Sequence, residues 1–163
     1  KQNGPPREST VVDWTLQIVT ALRYLHEQDP PIVHRDLTPD NLVKEDDGTI
    51  KIIDFGAANE FIGTATGTMV GKQAYIAPEQ LRGKTVTQSD LYSLGCTIYF
   101  YLTGKEPEAL STSDPRELNP DVSKDLAELV IQLTQMEASD RYQSAAQLVP
   151  VLKMISASLS AIR

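Results

Sequence analysis

The chain has 163 residues, 40% of them apolar and 23% charged, and its 15 Lys and Arg against 22 Asp and Glu leave a net charge of −7. These figures describe one ordinary soluble domain with a packed core and exclude collagen-like, repeat and disordered classes. An acidic balance without a Lys/Arg cluster speaks against nucleic acid or anionic lipid as the main ligand. The longest near-unbroken apolar run, Cys96 to Leu102, is far shorter than the roughly 18 to 20 residues of a membrane helix. Cys96 is the only cysteine, so no intrachain disulfide can form and a reducing, cytoplasmic setting is expected.

The opening Lys1-Gln2-Asn3-Gly4-Pro5-Pro6 has neither an initiator Met nor a leader pattern, and the expectation is an internal point of a longer chain. Residues 1–8 read as a linker. Thr10 with Asp13 makes a capping-box pattern, and Val12, Trp14, Leu16, Ile18, Val19, Leu22 and Leu25 recur at helical spacing, predicting an amphipathic helix to about Gln28. Asp29-Pro30-Pro31 ends it. An irregular polar stretch, residues 32–41, is followed by Leu42-Val43 and by Thr49 to Ile53, strand-like runs around the turn Glu45-Asp46-Asp47-Gly48.

Residues 57–74 are rich in Gly, Thr and Ala, and so long a loop in a compact domain is usually functional. Helix is expected again at Ala77 to Leu81, and residues 89–103, apolar nearly all round the wheel, predict a helix buried at the centre. A Pro-, Asp- and Ser-rich stretch then runs to Asp121. Two amphipathic helices follow, one capped by Ser123 and carrying Leu126, Leu129, Val130 and Leu133, the other capped by Ser144 and carrying Leu148, Val151, Leu152 and Ile155. Pro150 inside the latter predicts a kink or a later start. The whole reads as mainly α with one small hairpin.

Three motifs stand in order: His34-Arg35-Asp36-Leu37 with Asn41 five positions after the aspartate, Asp54-Phe55-Gly56 directly after the second strand, and Ala77-Pro78-Glu79 closing the long loop. Any one of these aspartates alone would be read as a turn or strand-end cap; their joint spacing is the protein-kinase signature. Across residues 9–152 the sequence resembles the C-terminal lobe of a eukaryotic-like Ser/Thr protein kinase, with wording around the motifs similar to bacterial members, cyanobacterial ones included. The implied fold is mainly α in this chain and α+β for the family as a whole, with residues 1–8 leading from an N-terminal lobe and 153–163 a tail or the start of a linker.

The resemblance implies ATP and Mg²⁺ as cofactors, a protein substrate, and the N-lobe of the same kinase as partner, with no nucleic acid and no membrane span in this chain. Asp36 matches the family's catalytic base. Asn41 and Asp54 match its metal ligands, one neutral oxygen and one charged, of the kind Mg²⁺ prefers. Val43 matches the floor under the adenine ring. His34, Phe55 and Gly56 are structural by the same match, as is His26 at the helix end. Asp90 would hold the catalytic-loop backbone, and Glu79 with Arg141 would form a buried ion pair. Arg35, preceding the catalytic aspartate, is the residue that grips a loop phosphate in kinases of this kind, and Thr68, ahead of Thr64 and Thr66, stands at the position to carry it.

Two departures from the family pattern matter. Thr38 stands where Ser/Thr kinases carry a lysine, and Lys72, after Gly71, stands where they carry a threonine. The two side chains meet in the family, so an exchange is expected, with Lys72 bringing the ammonium to the phosphate and Thr38 the hydroxyl. Two unrelated substitutions in a weakened enzyme are the alternative. Lys105 to Ser123 is also short and Pro-broken where relatives carry a further helix that serves docking. The family's Gly-rich loop, strand lysine and helix glutamate have no counterpart in the sequence, so this chain by itself is expected to be nearly inactive. A binding module without catalysis and a small-molecule kinase are the rival readings; intact Asp36, Asn41, Asp54 and Gly56 weigh against the first, and Ala77-Pro78-Glu79 against the second.

Overall fold

A computed structural model describes residues 4–54 and 72–162. Helix α1 spans Glu8–His26 and turns Val11, Val12, Thr15, Ile18, Val19 and Leu22 into the core. It starts two residues ahead of the capping-box pattern at Thr10, with Arg7 as the capping position. The reason is tertiary: the Glu8 carboxylate accepts the Ser123 backbone N–H at 2.6 Å, and its negative charge suits the first turn of a helix. Trp14 of α1 meets Tyr101 edge-on, with ring centroids 5.3 Å apart.

Strands β1 (Leu42–Lys44) and β2 (Ile50–Ile52) pair antiparallel in the register Leu42 with Ile52, Val43 with Lys51 and Lys44 with Ile50. The turn between them closes through Gly48 at φ 89°, a conformation that suits glycine. A two-stranded ribbon is only marginally stable alone. Gln17 of α1 secures it, accepting the Ile50 N–H at 2.9 Å and donating to the Gly48 carbonyl at 3.2 Å.

Helix α2, Thr87–Thr103, is buried along almost its whole length from Ser89 to Leu102. Its interior hydroxyls are satisfied locally, Ser93 bonding the Ser89 and Tyr75 carbonyls and Thr97 the Ser93 carbonyl. Cys96 is fully buried there, and burial pushes its thiol up to about 12; it is a core side chain. Gly95 is where α2 crosses helix α3 (Lys124–Leu133) most closely, since a Cβ there would lie 2.8 Å from both Leu133 Cβ and Thr134 Cγ2.

Ser123 occupies the capping position of α3, yet its hydroxyl is buried without a partner among the described residues; the Glu8 carboxylate takes the backbone N–H instead. Helix α4 runs Leu148–Ala161 behind a 3-10 turn at Ala145–Gln147, which Ser144 caps by accepting the Gln147 N–H. Pro150 therefore falls in the first turn of α4, where its missing donor would have had no helical partner anyway. The late start expected from it is what occurs. The helix then continues through residues read as a tail: Ile155 is buried and Leu159 packs against the core, and this burial is what extends it.

Ala77–Leu81 is also a different element from the expected helix. Pro78–Arg82 forms a 3-10 turn, ended by Gly83 at φ 69°. Within Lys105 to Ser123 the only helical element among the described residues is a short 3-10 stretch, Pro115–Glu117. No helix among the described residues is long and apolar enough to cross a membrane. The larger core cluster forms where α1 packs on α4, α2 and β2, and α2 on α3, and a smaller one gathers Ala74, Tyr75, Ala77, Tyr92 and Cys96.

Candidate active site

The polar stretch after α1 has no regular structure until Pro39–Asn41 forms a single 3-10 turn leading into β1. Leu37 is driven fully into the core, and the residues either side are tied down by polar contacts. The most consequential donors converge on Asp90, a fully buried carboxylate in the first turn of α2. Its Oδ2 accepts the His34 N–H at 2.8 Å and the His26 Nε2–H at 2.7 Å, and its Oδ1 accepts the Arg35 N–H at 2.9 Å. A buried carboxylate needs such donors to offset the loss of water. It thereby fixes the backbone leading into Asp36.

His34, itself fully buried, braces the loop from the other side. Its Nε2 lies 2.8 Å from the Ile53 carbonyl, and its Nδ1 accepts the Asp36 N–H at 3.2 Å. The carbonyl can only accept, so Nε2 carries the proton and Nδ1 is the acceptor. One ring thus joins the Asp36 backbone to the chain just ahead of Asp54. The Ile53 N–H also donates to the Asn41 carbonyl at 2.9 Å, extending the ladder by one bond to the residue just ahead of Asp54. Asp54 is exposed, with φ 59°.

Asn41 is buried, and its Nδ2 donates to both the Asp36 carbonyl at 2.7 Å and the Asp36 Oδ2 at 2.9 Å. The amide nitrogen is committed to the aspartate, which turns the amide oxygen away from it. Asn41 and Asp54 therefore offer one neutral and one carboxylate oxygen on adjoining backbone. Among the described residues no group of three or more His, Cys, Asp or Glu is gathered.

Thr38 is only 3% exposed and its hydroxyl has no hydrogen-bond partner among the described residues. Lys72 opens the 3-10 turn Lys72–Tyr75. Val43 is 42% exposed on β1. Phe55, Gly56 and Thr68 lie outside the described residues, and Arg35 is exposed with φ 74°.

Beneath the site, Glu79 and Arg141 form the expected ion pair, with Nη1 to Oε1 at 2.6 Å and Nη2 to Oε2 at 3.0 Å. Burial opposes the Glu79 charge, but the bonds from Arg141, its own backbone and the Ser89 hydroxyl outweigh it and hold the carboxyl below the ordinary glutamate range. Sequence reading missed the contributions of Gln17, Ser89 and Gln80. Each is a single polar side chain bonding to a distant or capping backbone group, and none belongs to a periodic pattern or a motif.

A sequence model described as the protein kinase domain matches residues 1–153. A probable serine/threonine-protein kinase of Clostridium acetobutylicum is 33% identical over 172 residues, covering 95% of this chain and 26% of the relative. Serine/threonine-protein kinase C of Synechocystis is 36% identical over 168 residues, covering 93% of this chain and 31% of the relative. Tyrosine-protein kinase MasK of Myxococcus xanthus is 36% identical over 131 residues, covering 70% of this chain and 20% of the relative. The chain thus spans between a fifth and a third of the length of these curated relatives. With its motif residues assembled as described and nearly its whole length matched, the chain belongs to the protein kinase domain family.

Proposed function

We propose that this chain is the C-terminal lobe of an ATP-dependent serine/threonine protein kinase, working in the cytoplasm on protein substrates with an N-terminal lobe of the same kinase above it. The observation that carries this reading is the Asp36 carboxylate held by Asn41 on a loop that Asp90 and His34 pin from two sides. Bound Mg²⁺ and ATP would supply the phosphoryl group. Asn41 and Asp54 would hold the cation, and Val43 would lie under the adenine ring, which accounts for an apolar side chain left open to solvent. Asp36 orients the substrate hydroxyl and accepts its proton, a role that needs position more than covalent chemistry. Arg35 would receive a phosphate on Thr68 as the activating event.

Pro39 and the absence of an Ala-rich replacement after Asp36 favour Ser and Thr as acceptors. The test is transfer of labelled phosphate from ATP to a generic protein acceptor by the full-length protein, followed by phosphoamino-acid analysis. Phosphoserine and phosphothreonine are expected, with no turnover from residues 1–163 alone. No transfer from the full-length protein would favour a binding module, label on a metabolite a small-molecule kinase, and phosphotyrosine a MasK-like specificity.

The orphaned Thr38 hydroxyl supports the exchange of roles with Lys72, since a buried hydroxyl without a partner suits a group that arrives during the reaction. Lys72→Ala is expected to lower kcat about 100-fold or more, the loss of one charged contact to a transferring phosphate. The double variant Thr38→Lys with Lys72→Thr should keep most activity. A harmless Lys72→Ala would end the exchange idea.

A further inference from the structure

Arg35 is a non-glycine residue in the left-handed region, at φ 74°, and such a conformation persists only where its surroundings over-determine it. Its N–H is taken by Asp90. Its carbonyl is taken by a residue that belongs to no motif: Gln80 Nε2 donates to it at 3.0 Å across 45 positions of chain. The peptide unit that carries this carbonyl also carries the Asp36 N–H, which His34 Nδ1 accepts. The plane immediately preceding Asp36 is therefore gripped on its oxygen edge by Gln80 and on its hydrogen edge by His34.

The Gln80 amide has only one orientation that serves both of its contacts. Its Oε1 accepts the Ala77 N–H at 3.0 Å, so its nitrogen must face Arg35, whose carbonyl needs a donor. The neighbouring Glu79 is locked to Arg141 by two bonds, so the turn that carries Gln80 is itself rigid. We propose that Gln80 is a positioning residue that clasps the turn after the substrate loop to the peptide bond before Asp36, setting the direction in which the Asp36 carboxylate points. This rests on the kinase reading above. It adds that the segment closing the substrate loop and the catalytic loop are aligned by one side-chain amide. An Ångström-scale loss of alignment at a reacting group is enough to cost a large factor in rate.

The test uses the full-length protein with Gln80→Glu and Gln80→Met. Glutamate keeps the length of the side chain and the acceptor for Ala77 N–H but cannot donate to Arg35; methionine removes both contacts without adding charge. Both variants should lose about tenfold or more in kcat while KM for ATP stays within about twofold, the pattern of misplaced reacting groups rather than lost binding. Amide hydrogen exchange at Asp36 should accelerate in both, while the melting temperature of the glutamate variant stays close to that of the parent. If Gln80→Met matches the parent in both kcat and Asp36 exchange, the clasp is refuted, even when the glutamate variant is slow, because the added charge then explains it. A parent protein that transfers no phosphate would remove the kinase reading, and the exchange comparison would still decide whether the clasp exists.

Discussion

Replacing Arg141 with alanine is expected to destabilise the fold by about 3 to 5 kcal/mol, the usual cost of removing one partner from a buried, hydrogen-bonded ion pair. Every donor of this guanidinium is used: Nε bonds the Gln135 carbonyl, Nη1 the Glu79 carboxylate and the Gln88 carbonyl, and Nη2 the Glu79 carboxylate and the Met136 carbonyl. Its carbon lies 5.0 Å from the centroid of the Tyr92 ring, within cation–π range. Alanine would leave a largely buried carboxylate and three carbonyls without this partner, in the seam between the 78–82 turn, α2 and the end of α3. Denaturant melts would measure the loss, and a variant within about 1 kcal/mol of the parent would contradict the prediction, since that is the range of an exposed pair.

The same pair gives the sign of an acid dependence. The Glu79 carboxyl sits below its ordinary value of 4.5 in the folded protein, so the folded state binds its proton less readily than the unfolded state does. Its contribution is fully present above that ordinary value and is lost as pH falls through the lower folded one. In Arg141→Ala this contribution should shrink, because the Arg141 bonds are gone and burial is then opposed only by the bonds from the Glu79 backbone and the Ser89 hydroxyl.

Asp36→Asn should reduce phosphoryl transfer by about a thousandfold or more, at the upper end of what a positioned general base contributes, while leaving nucleotide affinity and the melting temperature nearly unchanged. The substitution is close to isosteric. The asparagine carbonyl can still accept from Asn41 Nδ2, as the carboxylate does at 2.9 Å, and the backbone bonds from Asp36 N–H to His34 and from Asn41 to the Asp36 carbonyl are untouched. What disappears is the ability to take a proton. Single-turnover assays beside nucleotide titration separate the two effects, and an active mutant would sink the assigned role.

The main lines of the fold were legible because they are periodic. The apolar spacing from Val12 to Leu25, the all-round apolar wheel of residues 89–103 and the Leu126 to Leu133 stripe mark helices that the structure contains. Element ends were less legible. Glu8 starts α1 because of Ser123, far along the chain, and α4 runs on past Ile155 to Ala161, with Leu159 packed against the core. Neither contact leaves a local trace. At the site, spacing brought Asp36, Asn41 and Asp54 to notice, and the structure bonds Asn41 to Asp36 and to the Ile53 backbone just ahead of Asp54, whereas Gln80 and the His26 bond to Asp90 depend on tertiary placement alone. His26 was read as structural, but its partner could be named only once α1 and α2 were seen to pack together.

Asp90 lies 56 positions beyond His34 and 55 beyond Arg35, the residues whose backbone it holds. The loop carrying Asp36 is thus fastened to the central helix as well as to the Ile53 carbonyl and to Gln80. A helix buried along almost its whole length serves as a fixed datum for the loop that carries Asp36.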